Sequence, residues 1–459
     1  MYLEKNKLSL LYKVAKKKSE QKKSTIVFSF TQEIKLSNNF ISLIDIELGK
    51  SKKKSYWGQK NKNREFISFG ETFSLNTDNL DKSFINLNIE KIINDNVNFN
   101  ETKQNNIPIF IGGQNFDINK TNIDIWRKYK SVNYQIPEIL ILKSDNQTTI
   151  TFFTLMNKPF NSIYSKCYDY YKAIEDYSDN QKKSKMIFKS EGIKTDKNKF
   201  IDQVAYIKDK IKKKKVRKVV LSNIYKYSIK KEGTYSLLLE SMIKEYPECT
   251  IFYFDYLNEG KFLGASPELV LKNTNNNIEI DALAGSINNG KTISEQKENE
   301  KKLYESKKIN DEHDIVIKGI KKSLLENNIK IKCGKKHVLK LKNIQHLKTS
   351  ITAIKNDMKI MDILNTLSPT PALSGYPKNK SIDIINDIED FDRGWYSGTI
   401  GYISNNLNAE FYAGLRSAYI NDEYIYIYAG AGITIDSNED EEWLEIKNKM
   451  NAIDQIINE

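Results

Sequence analysis

Arginine is nearly missing from this chain. Of 72 Lys+Arg residues only Arg64, Arg127, Arg217, Arg393 and Arg416 are arginine, set against 59 Asp+Glu for a net charge of +13. Nucleic-acid surfaces favour arginine, whose planar fork makes two-point contacts to phosphate and guanine. Here the positive charge is lysine, in runs such as Lys52 to Lys54 and Lys212 to Lys215 scattered among asparagines. Such a composition decorates solvated faces, so no nucleic-acid partner is expected, and lysine-rich nucleic-acid binding is kept only as the non-enzyme alternative. Cysteine is as sparse: Cys167, Cys249 and Cys333 are odd in number, far apart and form no CxxC pair. That leaves no disulfide framework and points to a reducing, cytoplasmic compartment. No apolar run approaches the roughly 18 residues a membrane span needs. The first residues, MYLEKNKLSLLYKVAKKK, lack the apolar stretch of a secretory signal. Neither membrane nor export is expected.

What remains is ample material for a core, with 39% hydrophobic and 11% aromatic residues in 459. Short β-like runs stand at 25–30, 66–70, 107–113, 138–144 and 149–155, divided by asparagine-rich turns. The polar stretch 178–200 reads as a linker or surface excursion. Beyond it the patterning tightens. A buried strand is predicted at 216–222, a helix at 234–246 behind Thr234, and strands at 250–256, 262–265, 268–272 and 278–283. One long charged helix is predicted from Ser294 to Asn327, then strands at 346–354, 396–403, 409–419 and 424–429. A glycine turn, AGAG, follows at 429–432, and a last amphipathic helix at 438–457. The fold class is α/β or α+β with much antiparallel sheet. The chain divides by pattern into residues 1–199, lysine- and asparagine-rich, and a catalytic region at 200–459.

Five features carry chemistry. Lys218 enters a strand whose next three residues are apolar. It is either a lysine snorkelling at a strand edge or one held against low-dielectric walls, where ammonium is disfavoured and a general base results. Glu268 follows Ser266-Pro267 beside Leu269 and Val270. It is either a paired surface acid or a buried one kept protonated, the state a general acid needs. In ALAGS at 282–286, small residues admit a ligand close to the backbone. Glu312 lies mid-helix, while Glu442 and Glu445 share one helix face with Lys449. A Glu–Lys pair of that kind is ordinarily a weak surface pair. Brought together with Glu312, the two acids make an oxygen-only site suited to Mg2+. Arg416 alternates with apolar neighbours on a predicted buried strand and needs an anionic partner. The AGAG backbone would offer N–H groups to the same anion.

In this order the chain carries KVVLS, GASPELVL, ALAGS, Glu312-His313, HLKTS, SPTPALSGYP, DRGWYSGTIG and AGAGI followed by EEWLEIKNK. This set resembles the chorismate-utilising enzymes, most closely their isochorismate synthases of the menaquinone and siderophore type. The resemblance covers 200–459 and extends upstream through YWGQK, FISFGE and IFIGGQNF. It implies one large unit of two packed β-sheets with outer helices, acting as a monomer on chorismate. By the same resemblance Lys218 is the base that activates water for attack at C2, and Glu268 the acid that assists departure of the C4 hydroxyl. Ala284 stands where aminodeoxychorismate synthases carry a nucleophilic lysine, which leaves water as the nucleophile. Glu312 and Glu445 are implied Mg2+ ligands, with Glu442 a further or water-mediated one. Arg416, Gly430 and Gly432 would hold the enolpyruvyl carboxylate, with Lys449 and Gly285 lining the same site. His346, Ala372, Leu373 and Tyr396 would shape the pocket, with a satisfied core histidine the alternative for His346. Asn223 and Ser368 depart from the family's arginine and histidine, and altered local packing or hydrogen bonding is expected there. Salicylate synthase, which goes on to eliminate pyruvate, is the enzymatic alternative. A menaquinone role is expected over a siderophore one.

Overall fold

The structure is a computed structural model that describes residues 5–22, 26–36, 39–48, 53–77, 82–177, 183–256, 259–290, 292–341 and 344–458. Among these, strands build one 13-stranded and one 10-stranded sheet, with helices outside. This is the α/β arrangement of two packed sheets that the resemblance implied.

The apolar runs of the sequence have a simple cause. The strand Ile139–Ser144 is covered on both faces: Ile139 and Ile141 join the core beneath the helices, while Leu140 and Leu142 join the core between the sheets. Thr250–Tyr256 behaves alike, with Ile251 and Tyr253 on one side and Phe252 and Phe254 on the other. Between the sheets, Trp57 meets Tyr402 edge-on at a centroid distance of 5.7 Å. Phe66 meets the same ring edge-on at 5.5 Å, the geometry that ring quadrupoles favour. Strands from before and after residue 200 interleave: Lys54–Gln59 pairs with Thr250–Tyr256, and Pro108–Gln114 with Thr399–Ser404. Among the described residues no helix is long and apolar enough to cross a membrane.

Several expectations need correction. The long helix from Ser294 is two, Ile293–Glu305 and Lys307–Leu325, because Ser306 is extended and its side chain accepts from the Ile309 N–H, capping a new start. AGAG is no turn but part of the strand Tyr424–Ile433, paired with Lys218–Lys231 in the register Ser222↔Gly430 and Val220↔Gly432. The strand expected at 409–419 is broken: Ala409–Ala413 belongs to the smaller sheet and Ser417–Ile420 to the larger, so the chain changes layers at 414–416. The strand expected from 396 starts at Thr399. Within the expected linker, Ile187–Ile193 is an edge strand on Lys218–Lys231 and a helix starts at Lys197, whereas 178–182 lies outside the described residues. The lysine-rich N-terminal segment, which shows little pattern, forms a helix, Lys5–Lys22, that buries only Leu8 and Ala15.

Candidate active site

A cavity of about 330 Å³ opens where the two sheets, the helix Lys307–Leu325 and the last helix Glu439–Asn458 meet. Every candidate site residue from the sequence lines it except Glu442. Lys218 comes from the first position of the Lys218–Lys231 strand and Glu268 from just before Leu269–Thr274. Ala284 and Gly285 sit at a register shift in Asn277–Asn288. There Gly285 has φ +75, and a Cβ would fall 2.5 Å from Ile309 Cγ2, so the bulge can lie against the helix only with glycine.

Lys218 and Glu268 are both fully enclosed, at 1% and 2% exposure, yet they are managed differently. Lys218 Nζ lies 2.8 Å from Glu312 Oε1. Glu268 accepts a single side-chain hydrogen bond, from Thr370 Oγ1 at 2.9 Å. Burial dominates its ionisation and pushes the carboxyl up to about 8, against the opposing pull of Thr370 and Lys218. The pocket therefore holds a carboxylic acid that stays protonated at neutral pH.

Arg416 sits at the layer change, half-buried with φ +44, not on a continuous buried strand as expected. Its guanidinium has no carboxylate partner among the described residues. Nη1 reaches Cys249 Sγ at 3.5 Å and Nη2 reaches His346 Nε2 at 3.2 Å. Arginine can only donate, so Nε2 is the acceptor and His346 carries its proton on Nδ1, toward Ser286 Oγ at 3.0 Å. Burial, then Arg416 and Lys449, hold His346 well below the usual histidine range. Both ring nitrogens are thus satisfied, and the ring still faces the cavity.

Gly430 turns its carbonyl away from the neighbouring strand to accept from Lys449 Nζ at 2.9 Å, and Gly432 turns its own toward Ser437 Oγ at 3.5 Å. In an antiparallel strand the N–H of each residue points to the same side as its carbonyl. Gly430 and Gly432 therefore present N–H groups on the open edge beside Arg416 and Lys449, so the donors expected of a turn come from a strand. Tyr396 stacks on Tyr428 at 4.9 Å behind it.

Three further carboxylates each hold a lysine. Glu312 has Lys218; Glu445 has Lys449 at 2.6 Å; Glu442, 3% exposed, has Lys308 at 3.0 Å. Burial, followed by the charge of Glu445, lifts Glu442 to about 7. For Lys449 burial works against the charge, but Glu445 and Glu312 outweigh it and raise the ammonium above its ordinary value. Among the described residues these acids do not converge into a ready-made ligand cluster. The donor set nonetheless fits a hard divalent cation. It is carboxylate oxygen only, and Glu312 and Glu445 face one cavity. The wall at Gly432 is bare, where a Cβ would lie 2.6 Å from Glu312 Oε1.

Sequence reasoning missed the supports. Thr370, between two prolines, has no local sign of its contact with Glu268. Glu389 and Arg393 form a buried pair that ties the site together: Glu389 Oε1 accepts from the Ser222 N–H at 2.8 Å, and Arg393 donates to Val220 O at 2.7 Å and Leu373 O at 3.1 Å. Asn223 exchanges hydrogen bonds with Thr195, 3.0 Å from its N–H and 2.8 Å to its carbonyl. Ser368 Oγ is buried without a protein partner.

The profile of the family described as chorismate binding enzyme matches residues 12–458. The chain is 32% identical over 258 residues to isochorismate synthase MenF of Bacillus subtilis (strain 168), covering 56% of this chain but only 54% of that protein, about half its length. It is 28% identical over 324 residues to isochorismate synthase MenF of Haemophilus influenzae, covering 70% and 73% of the two chains. Among solved structures it resembles MenF, the menaquinone-specific isochorismate synthase of Escherichia coli, with TM-score 0.77, 20% identity, and coverage of 97% and 100%. With the profile running nearly end to end over the chain that builds this cavity, the protein belongs to the chorismate-binding enzyme family.

Proposed function

We propose that the protein is an isochorismate synthase, converting chorismate reversibly to isochorismate with Mg2+. The observation that carries this reading is the pairing, in one cavity, of a lysine with a carboxylic acid kept protonated by burial. Beside them stands Ala284, where a lysine would supply an amine nucleophile. Arg416, Lys449 and the glycine N–H groups bind and orient the dianionic substrate. Lys218, as free amine, takes a proton from a water that adds at C2. Both ring double bonds shift, the C4–O bond breaks, and Glu268 gives its proton to the departing hydroxyl, which leaves as water. Running the same steps backward restores both protonation states. To act as base Lys218 has to give up Glu312. Glu312 and Glu445, with Glu442, would hold Mg2+, whose charge would offset the ring carboxylate.

The name MenF among relatives supports a menaquinone role; that the protein acts as a cytoplasmic monomer is part of the same proposal. A relative from Pseudomonas aeruginosa named salicylate biosynthesis isochorismate synthase, 34% identical over 198 residues, supports a second reading in which the isochorismate supplies salicylate. Purified protein given chorismate and Mg2+ is expected to form isochorismate, and chelation to stop it. Salicylate fluorescence without an added lyase would sink the assignment. Restored growth of a strain lacking its menaquinone-specific isochorismate synthase checks the pathway.

A further inference from the structure

Lys218 and Lys449 belong to the cavity wall, but Lys308 does not. Its ammonium lies 3.0 Å from Glu442 Oε1 and 3.5 Å from Glu441 Oε2. Lys308 stands one helical turn before Glu312, as Glu442 stands one turn before Glu445, so it bridges the two helices that carry the acids. Glu442 is too enclosed for water to solvate its charge, and an unpaired buried carboxylate is costly. A cation beside it relieves that cost, and in the structure Lys308 supplies one.

We propose that Lys308 is a built-in competitor for the divalent cation. It holds Glu442 in place while the site is empty, and it has to yield that carboxylate when metal enters. The proposal rests on the reading that Glu312, Glu442 and Glu445 take Mg2+. Two consequences follow that a merely structural lysine lacks. Removing Lys308 removes both a rival for Glu442 and a positive charge near the incoming one, so affinity for metal rises although the metal-free protein is weakened. The stability lost without metal is then regained with it, because a ligand that binds the folded state stabilises it in proportion to its affinity.

The test is calorimetric titration of MgCl2 into the full chain without substrate, at one pH, together with thermal unfolding with and without MgCl2. Lys308→Met is expected to bind Mg2+ at least about tenfold more tightly, given the repulsion between close cations at an effective dielectric of about 20. Its metal-free Tm should fall and its Mg2+-induced gain in Tm should exceed that of the wild type. In a Glu442→Gln background the same substitution should raise Mg2+ affinity by a smaller factor, because only the charge repulsion is then relieved. Should Lys308→Met not fold, Lys308→Arg serves: a forked cation grips Glu442 harder and should weaken Mg2+ binding. Affinity unchanged or lowered in Lys308→Met, or unchanged in Lys308→Arg, overturns the proposal while leaving the metal site standing. Absence of Mg2+ binding in wild type and variants alike overturns both.

Discussion

One cavity holds two kinds of carboxylate. Glu268 is enclosed without a counter-ion in contact, has a single hydroxyl donor, and keeps its proton up to about pH 8. Glu312 and Glu445 across the cavity, and Glu442 outside its wall, each meet a lysine at 2.6 to 3.0 Å. The same side chain faces only a hydroxyl in the first setting and a cation in the second. What separates them is the partner: a hydroxyl leaves the burial penalty largely standing, while an ammonium opposes it, at Glu442 only in part, since burial and the charge of Glu445 still lift that group to about 7.

The comparison breaks most completely at Glu268. Replacing it with Gln keeps the shape and removes the transferable proton, so kcat should fall roughly 10²- to 10⁴-fold. Mg2+ affinity should stay put, since Glu268 is not among the acids that would hold metal; steady-state assays and calorimetry check the two halves. Glu389 extends the comparison to a third setting, a carboxylate buried against arginine. Arg393→Lys cannot serve Glu389, Val220 O and Leu373 O together, and about 2–4 kcal/mol of stability should be lost, measured by urea unfolding.

A smaller effect tests the hydroxyl itself. The acid works protonated, so kcat/KM should hold at neutral pH and fall as pH rises through about 8. The folded carboxyl keeps a proton that the unfolded chain has released, so this group also makes stability decline between its ordinary 4.5 and about 8. Thr370 favours the ionised form; Thr370→Val should therefore move the alkaline limb upward, by roughly half a pH unit. The smallest effect belongs to the exposed charge. Lys213 pairs with Asp209 at 2.7 Å, one turn apart in solvent. Such a pair adds little to stability, so Lys213→Ala should leave Tm unchanged in a thermal melt.

Lys218, Glu268 and Arg416 were legible because each interrupts an apolar run, and a charge in such a place asks for a reason. Thr370, Lys308 and Glu389 were not. Their partners lie 102, 134 and 167 residues away, and nothing near them in the chain signals the contact. AGAG misled because glycine marks both turns and close approach; here it makes room for the Lys218–Glu312 pair. The two sheets were legible as a class, since runs covered on both faces read as unbroken apolar segments. The layer change at 414–416 was not, because Ala409–Ala413 and Ser417–Ile420 are apolar on either side of it.

That layer change has a mechanical meaning. Residues 414–416 are one of the stitches by which the chain passes from one sheet to the other, and Arg416 is its last loop. An anion gripped there is fastened to the seam between the layers. If Arg416 holds a substrate carboxylate as proposed, any slip of one sheet over the other would pull on that group, and the group would in turn resist the slip.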